Sequence, residues 1–173
     1  MIFIACSGKK TDDQKETKEA SVKAMTTPPV DEKTQNTEEL KKTSQLTLEQ
    51  IRRLLPSELD SAKERNYVAS TQFGYGLASI EYPKRKSRGI KVTLYDCAGE
   101  LGANNYFENY WNLLNVTKQT DQDFTKTIDF EGDKAVETYK KDIHLSPLTF
   151  VVRGSLVIVM EGKNMAPEDL EGT

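Results

Sequence analysis

The sequence predicts an α+β fold: a mostly antiparallel sheet of about six strands with helices packed on one face, preceded by a disordered N-terminal tether. Three observations predict it. Apolar residues recur at helical spacing over 48–55 and at a period of two from Gly74 onward. Turn-forming residues separate neighbouring strand-like runs, so successive strands return antiparallel. Composition shifts at Thr47, beyond which lie thirteen of the fourteen aromatic residues, so the core-forming part of the chain starts there.

Each element has a local cause. Thr47-Leu48-Glu49-Gln50 is a capping box, in which the Thr hydroxyl accepts from the amide three residues on and the Gln side chain reaches back. Leu48, Ile51, Leu54 and Leu55 continue that helix on one face until Pro56 stops it. Residues 75–82 and 90–97 alternate as half-buried strands, with Ile90, Val92 and Leu94 on one face and Lys91, Thr93 and Tyr95 on the other. Turn material at 83–89 joins them into a hairpin whose tip carries Lys84, Arg85, Lys86 and Arg88. Asn104 or Asn105 caps a helix running to about 115, with Phe107, Trp111 and Leu114 in one stripe and Tyr106, Tyr110 and Leu113 in a neighbouring one. Strands at 124–130 and 134–139 flank a turn at 131–133. A second pair, 148–152 and 155–161, closes on Arg153-Gly154, the most compact hairpin signal in the chain. Pro167 near the first turn of 166–170 opens a short terminal helix.

Ahead of this domain, residues 7–46 hold eight lysines, eight acids and no aromatic residue. Such a stretch buries too little apolar surface to offset the entropy of ordering it, so it is expected to be a disordered charged linker. As a flexible coil its 40 residues would span roughly 35 Å. A transient helix over 31–42 is the alternative. The expected organisation is therefore 1–6, 7–46 as linker and 47–173 as the folded domain.

Composition excludes some functions. A net charge of −3 over 173 residues argues against a nucleic-acid binder, which needs a strongly basic face. No run of about 18 apolar residues is present to span a bilayer as a helix. A Cys-His nucleophile pair would require Cys97 and His144 to meet, and nothing in their spacing or flanks suggests it. One histidine and one available cysteine do not make a four-ligand zinc site, so no metal and no cofactor are expected. Asp96, Glu100, Asn104 and Asn105 offer oxygen ligands near a bend, but a strand end followed by a helix cap explains them better. Gly74 and Gly76 read as a bulge or a close backbone approach, not as a phosphate loop. Two surface features stand as interaction candidates: the basic tip, and the aromatic helix with Tyr106, Phe107, Tyr110 and Trp111, which carries more rings than one core-facing stripe needs.

Two resemblances bear on location. Phe3-Ile4-Ala5-Cys6, an apolar run ending in a small residue before cysteine, resembles the lipobox of bacterial lipoproteins. This implies that Cys6 is the first residue of the mature protein, carries lipid such as palmitate, and anchors it to the membrane. Residues 1–6 would then be a truncated signal with its lipobox, 1–5 being removed, since such a signal needs a basic start and about 7 to 15 apolar residues. Otherwise Cys6 is an ordinary residue. Leu54-Leu55-Pro56, Asp96-Cys97-Ala98-Gly99 and Met160-Glu161-Gly162-Lys163-Asn164-Met165, in that order, resemble a loose group of uncharacterised bacterial envelope proteins over about 47–170. That group implies no activity, and its terminal helix is longer.

The expectation is a non-catalytic binding or interaction module, lipid-anchored in a bacterial cell envelope, on the periplasmic side of the membrane. Ser7 after the cysteine fits the outer membrane of a Gram-negative host. Its partner would be an envelope protein. One alternative is a carrier of a small apolar ligand held between sheet and helix by residues such as Trp111, Phe107 and Leu94. Another is an enzyme with carboxylates such as Asp96 and Glu100 gathered with tyrosines in a cleft.

Overall fold

The computed structural model describes residues 30–171 apart from 115 and 132. The run Phe3-Ile4-Ala5-Cys6 that resembles a lipobox, and residues 7–29 of the expected linker, lie outside the described residues. The chain opens with helix α1 (Val30–Lys42), followed by α2 (Leu48–Leu54) and a small ribbon of β1 (Glu58–Leu59) and β2 (Ala62–Lys63). Strands β3 (Arg65–Ser70), β4 (Leu77–Pro83) and β5 (Gly89–Asp96) form a first meander. A helical crossover follows, made of α3 (Gly99–Gly102), a π-helical turn (Ala103–Phe107) and α4 (Glu108–Leu113). Strands β6 (Lys118–Gln119), β7 (Asp123–Phe130), β8 (Asp133–Lys140), β9 (Leu145–Val152) and β10 (Leu156–Lys163) make a second meander before α5 (Glu168–Glu171).

The two meanders join into one antiparallel sheet of order β3-β4-β5-β10-β9-β8-β7-β6. The crossover therefore carries the chain from the middle strand β5 over one face to the far edge, and the second meander walks back to pair β10 with β5. Register is fixed by the alternation of side chains. Leu94 lies opposite Ile158 and Val92 opposite Met160 on one face, whereas Tyr95 lies opposite Val157 on the other.

The α+β class with a large antiparallel sheet is as the sequence predicts. The sheet has eight strands rather than about six, because β3 and the two-residue β6 extend its edges. Helices also cover both faces, not one. On the first face Ile51 and Leu55 pack with Ile80, Tyr82, Ile90 and Leu94, and Leu170 of α5 closes the same core. On the second, Leu40 of α1 and Ala103, Phe107 and Tyr110 of the crossover pack over Val136, Cys97 and Val157.

The linker boundary at 46 needs correction as well. Residues 30–42 are a helix docked on the crossover, with Leu40 and Thr37 buried. Lys33 Nζ donates to Asn112 Oδ1 at 3.0 Å, tying α1 to α4. The connection to α2 is held just as firmly. The Gln45 amide donates to the carbonyls of Gly74 (2.7 Å) and Ala98 (3.0 Å), and the Leu46 N–H donates to the Asp96 carboxylate at 2.6 Å. The folded domain thus starts no later than Val30. The capping box at Thr47 and Gln50 forms as the sequence requires.

Gly102 sets how closely the crossover lies on the sheet. A Cβ there would stand 2.8 Å from the Asp96 carbonyl oxygen and 2.8 Å from the Cys97 carbonyl carbon, both backbone atoms that cannot swing aside. Gly102→Ala is expected to displace the crossover and cost about 2 kcal/mol, as overpacking does. A lower urea midpoint at unchanged m-value is the measurement that checks it.

A candidate binding groove between the N-terminal helix and the aromatic helix

The crossover determines what the aromatic residues can do. The sequence reading placed its start at Asn104 or Asn105; the helix begins at Gly99 and runs through both. Its middle turn is π-helical, so the residues after it are rotated relative to an unbroken α-helix. Tyr106, inside that wide turn, takes different ring partners from the other three aromatics. It stacks on Tyr95 with ring centroids 3.5 Å apart and neighbours Tyr75, and this burial pushes its hydroxyl far above the ordinary tyrosine range. Phe107, Tyr110 and Trp111 stay together, with centroids 5.7 Å apart for Phe107 and Trp111 and 6.4 Å for Phe107 and Tyr110.

Phe107 and Tyr110 are core residues, 3% and 4% exposed and packed with Leu40, so the open part of the aromatic wall, beside a groove of about 630 Å³, comes from the half-buried Trp111 and Leu114. The opposite wall of the groove is α1, which presents Glu32, Asn36 and Leu40 at helical spacing, followed by Thr43 just beyond its end. The floor comes from the ends of β8 and β9 and the hairpin turn Arg153-Gly154-Ser155. Leu156 lies opposite Val152, so the connection has three residues, one more than the Arg153-Gly154 pair the sequence suggests, and Arg153 and Gly154 are both at positive φ (54° and 71°). The Tyr110 hydroxyl donates to the Lys134 carbonyl at 2.6 Å and fixes the helix against β8. Burial, reinforced by the Asp133 carboxylate, pushes that hydroxyl up to about 12.

Charge around the groove is uneven. Glu32, Glu39 and Asp133 stand at it with no ion pair among the described residues, whereas the Lys134 ammonium is already matched to Asp129. Arg153 is the remaining cation of the lining. The sequence reading found the aromatic wall and missed the acidic one, since the residues of α1 had been assigned to a linker. The spacing of Glu32, Asn36, Leu40 and Thr43 was the signal available.

The other candidates lie apart. The basic tip sits at the end of β5 that pairs with Lys163, and the groove at the end that pairs with Leu156, about 26 Å away along eight residues of strand. Lys84 pairs with Asp60 and Arg88 with Asp169, so half of the tip's cations are used to pin the β1-β2 ribbon and α5. Arg85 and Lys86 form no ion pair among the described residues. Leu94 belongs to the opposite core and does not line the groove, a correction to the carrier reading.

The residues considered for chemistry have structural positions. Asp96 is buried, and its two oxygens accept from Leu46 N–H and Ala98 N–H. Cys97 is buried beneath the crossover, and desolvation pushes its thiol up to about 12. His144 lies in the turn before β9, at the far end of the sheet from Cys97. Gly74 and Gly76 are close approaches, against Leu101 and Ile51. Among the described residues, no three His, Cys, Asp or Glu side chains are gathered to hold a metal ion.

No family model matches the chain, and neither a curated protein nor a solved structure matches it. The groove therefore has to be read from its own chemistry.

Proposed function

We propose that this protein is a non-catalytic binding module of a bacterial envelope, carried on a lipid anchor at Cys6, and that it binds through the groove between α1 and the aromatic helix. The observation that carries the binding half is an open groove of about 630 Å³ beside the half-buried Trp111, backed by the buried Phe107 and Tyr110 and walled by a second helix. A tryptophan held rigidly at such a groove supplies contact area at small entropic cost. The use of Asp96 as an acceptor for two backbone amides supports a structural over a catalytic role for that carboxylate. The anchoring half rests on the Phe3-Ile4-Ala5-Cys6 run alone. A second reading, a carrier of a small apolar ligand, draws on the presence of Phe107 and Trp111 in the same groove.

Two experiments test the halves separately. Intact mass and membrane fractionation in the native host should find the wild type acylated at Cys6, and Cys6→Ala released from the membrane. A soluble wild type beginning at Met1 would refute the anchor. A photo-crosslinking side chain placed at Asn36 should give adducts that one at Lys86 does not. The mass added separates a protein partner from a small ligand, and equal adducts from both positions would refute the groove.

A further inference from the structure

We propose that the tip of the β4-β5 hairpin is a membrane-facing surface that rests on anionic phospholipid headgroups and leaves the groove, at the other end of the sheet, open to solution; a lipid surface as the partner rests on the anchor at Cys6. The tip is held in one shape. The Lys84 N–H donates to the Arg88 carbonyl at 2.8 Å, and the Asn164 amide, just past β10, donates to the Ser87 carbonyl at 2.9 Å. Lys86 and Ser87 both sit at positive φ (59° and 58°), a conformation that costs such residues energy and that glycine takes freely. Lys84 and Arg88 are matched to Asp60 and Asp169, which fixes the turn to its neighbours. Arg85 and Lys86 are left exposed, with no ion pair among the described residues. Lys163, opposite Gly89 at the base of the hairpin, is a third exposed cation in the same state.

Charge selects the partner. Of the carboxylates near the tip, Asp60 and Asp169 are matched, Glu58 lies opposite Lys63 on the ribbon, and Glu168 stands on α5. The tip is therefore a basic end on a chain whose net charge is −3. The acids of the groove, Glu32, Glu39 and Asp133, belong to the other end of the sheet, about 26 Å away along β5. Salt at physiological strength screens exposed charges beyond about 8 Å, so an anionic surface at the tip meets its cations and not the sum over the chain. Long exposed side chains suit a surface of many phosphates, because each contributes by its closeness to that surface and not by a fixed coordination geometry. The 23 residues between Cys6 and Val30 can cover up to about 80 Å, so anchor and tip can share one membrane surface.

The test uses the full-length Cys6→Ala protein, which cannot be acylated there. It is sedimented with vesicles of phosphatidylcholine alone, and with vesicles in which about a third of the lipid is phosphatidylglycerol. Binding is expected to the anionic vesicles only, at low ionic strength, and should fall as salt is added. Arg85→Gln with Lys86→Gln should weaken it about twentyfold, since each Lys or Arg near such a surface contributes about fivefold. Lys42→Gln with Arg153→Gln removes the same charge at the groove end and should change it by no more than about twofold. Arg85→Lys with Lys86→Arg should preserve it. A photo-crosslinking side chain at Lys86 should take up lipid mass on the anionic vesicles, and one at Asn36 none. Because no acyl chain is needed, failure of the tip is told apart from failure of the anchor: no binding by Cys6→Ala overturns the tip whether or not the native host acylates Cys6. Equal losses from the two glutamine pairs, displacement by inorganic phosphate at constant ionic strength, or equal lipid adducts at Asn36 and Lys86 also overturn it.

Discussion

Asp96→Ala is expected to lower stability by about 4 kcal/mol and the melting temperature by about 10 °C, more than any other single substitution at a polar residue of the domain. The carboxylate is buried at the end of β5 and accepts from Leu46 N–H at 2.6 Å and from Ala98 N–H at 3.1 Å. Each is a hydrogen bond to an ionised acceptor, contributing about 1.5 to 3 kcal/mol, and its removal leaves a donor facing apolar surroundings. Asp96→Asn retains one carbonyl acceptor and should recover about half of the loss. The position has a consequence beyond stability. Leu46 and Gln45 hold the connection between α1 and α2, and Ala98 begins the crossover, so the same side chain seats both walls of the groove. Thermal unfolding followed beside Trp111 emission in the native state would show both effects; an Asp96→Ala protein that melts within about 2 °C of wild type would refute this role.

How far the fold could be read from the sequence depended on whether a segment carries its own signal. Thr47 and Gln50 satisfy each other locally, and Ile90, Val92 and Leu94 bury one face by alternation, so α2 and the β4-β5 hairpin were legible. The Arg153-Gly154 turn declares itself through residues that tolerate positive φ. The missed elements have no such signature. Helix α1 buries only Leu40 and Thr37 among the residues whose side chains are described, and is ordered by docking on the crossover, a tertiary effect that composition does not reveal. Strand β3 is an edge whose side chains are mostly exposed, so its apolar residues do not alternate. The β1-β2 ribbon turns at Asp60-Ser61, both at positive φ without a glycine to mark them. The site suffered accordingly. Trp111 was visible within the aromatic helix, the acidic wall was hidden in a presumed linker, and the burial of Phe107 and Tyr110 against Leu40 could not be read without α1.

Alkali is expected to unfold the domain well before it would unfold one with exposed hydroxyls, with a loss of about 5 kcal/mol or more by about pH 12. The cause is a set of neutral acidic groups buried on both faces of the sheet. Burial pushes Cys97 up to about 12 from 9.0, and Tyr82 and Tyr110 up to about 12 from 10.0, and it raises Tyr106 further still. Tyr82 and Tyr110 each also donate a 2.6 Å hydrogen bond, to the carbonyls of Pro56 and Lys134, which only the protonated form can make. In the unfolded chain these groups ionise near their ordinary values, so above about pH 9 to 10 the unfolded state binds fewer protons than the folded one. Stability is therefore fully present below that range and falls as pH rises through it, until the folded groups themselves ionise near pH 12. Because Tyr110 belongs to the crossover and Cys97 lies beneath it, with Tyr82 under α2, both helical layers lose support together, and the transition should be cooperative. Urea midpoints should be level from about pH 7 to 9 and then fall steeply, with a tyrosinate absorbance step that coincides with the loss of ellipticity. A tyrosinate step completed while ellipticity is intact would mean that Tyr82, Tyr106 and Tyr110 are open to solvent, and would remove the buried hydroxyls on which the packing of the crossover depends.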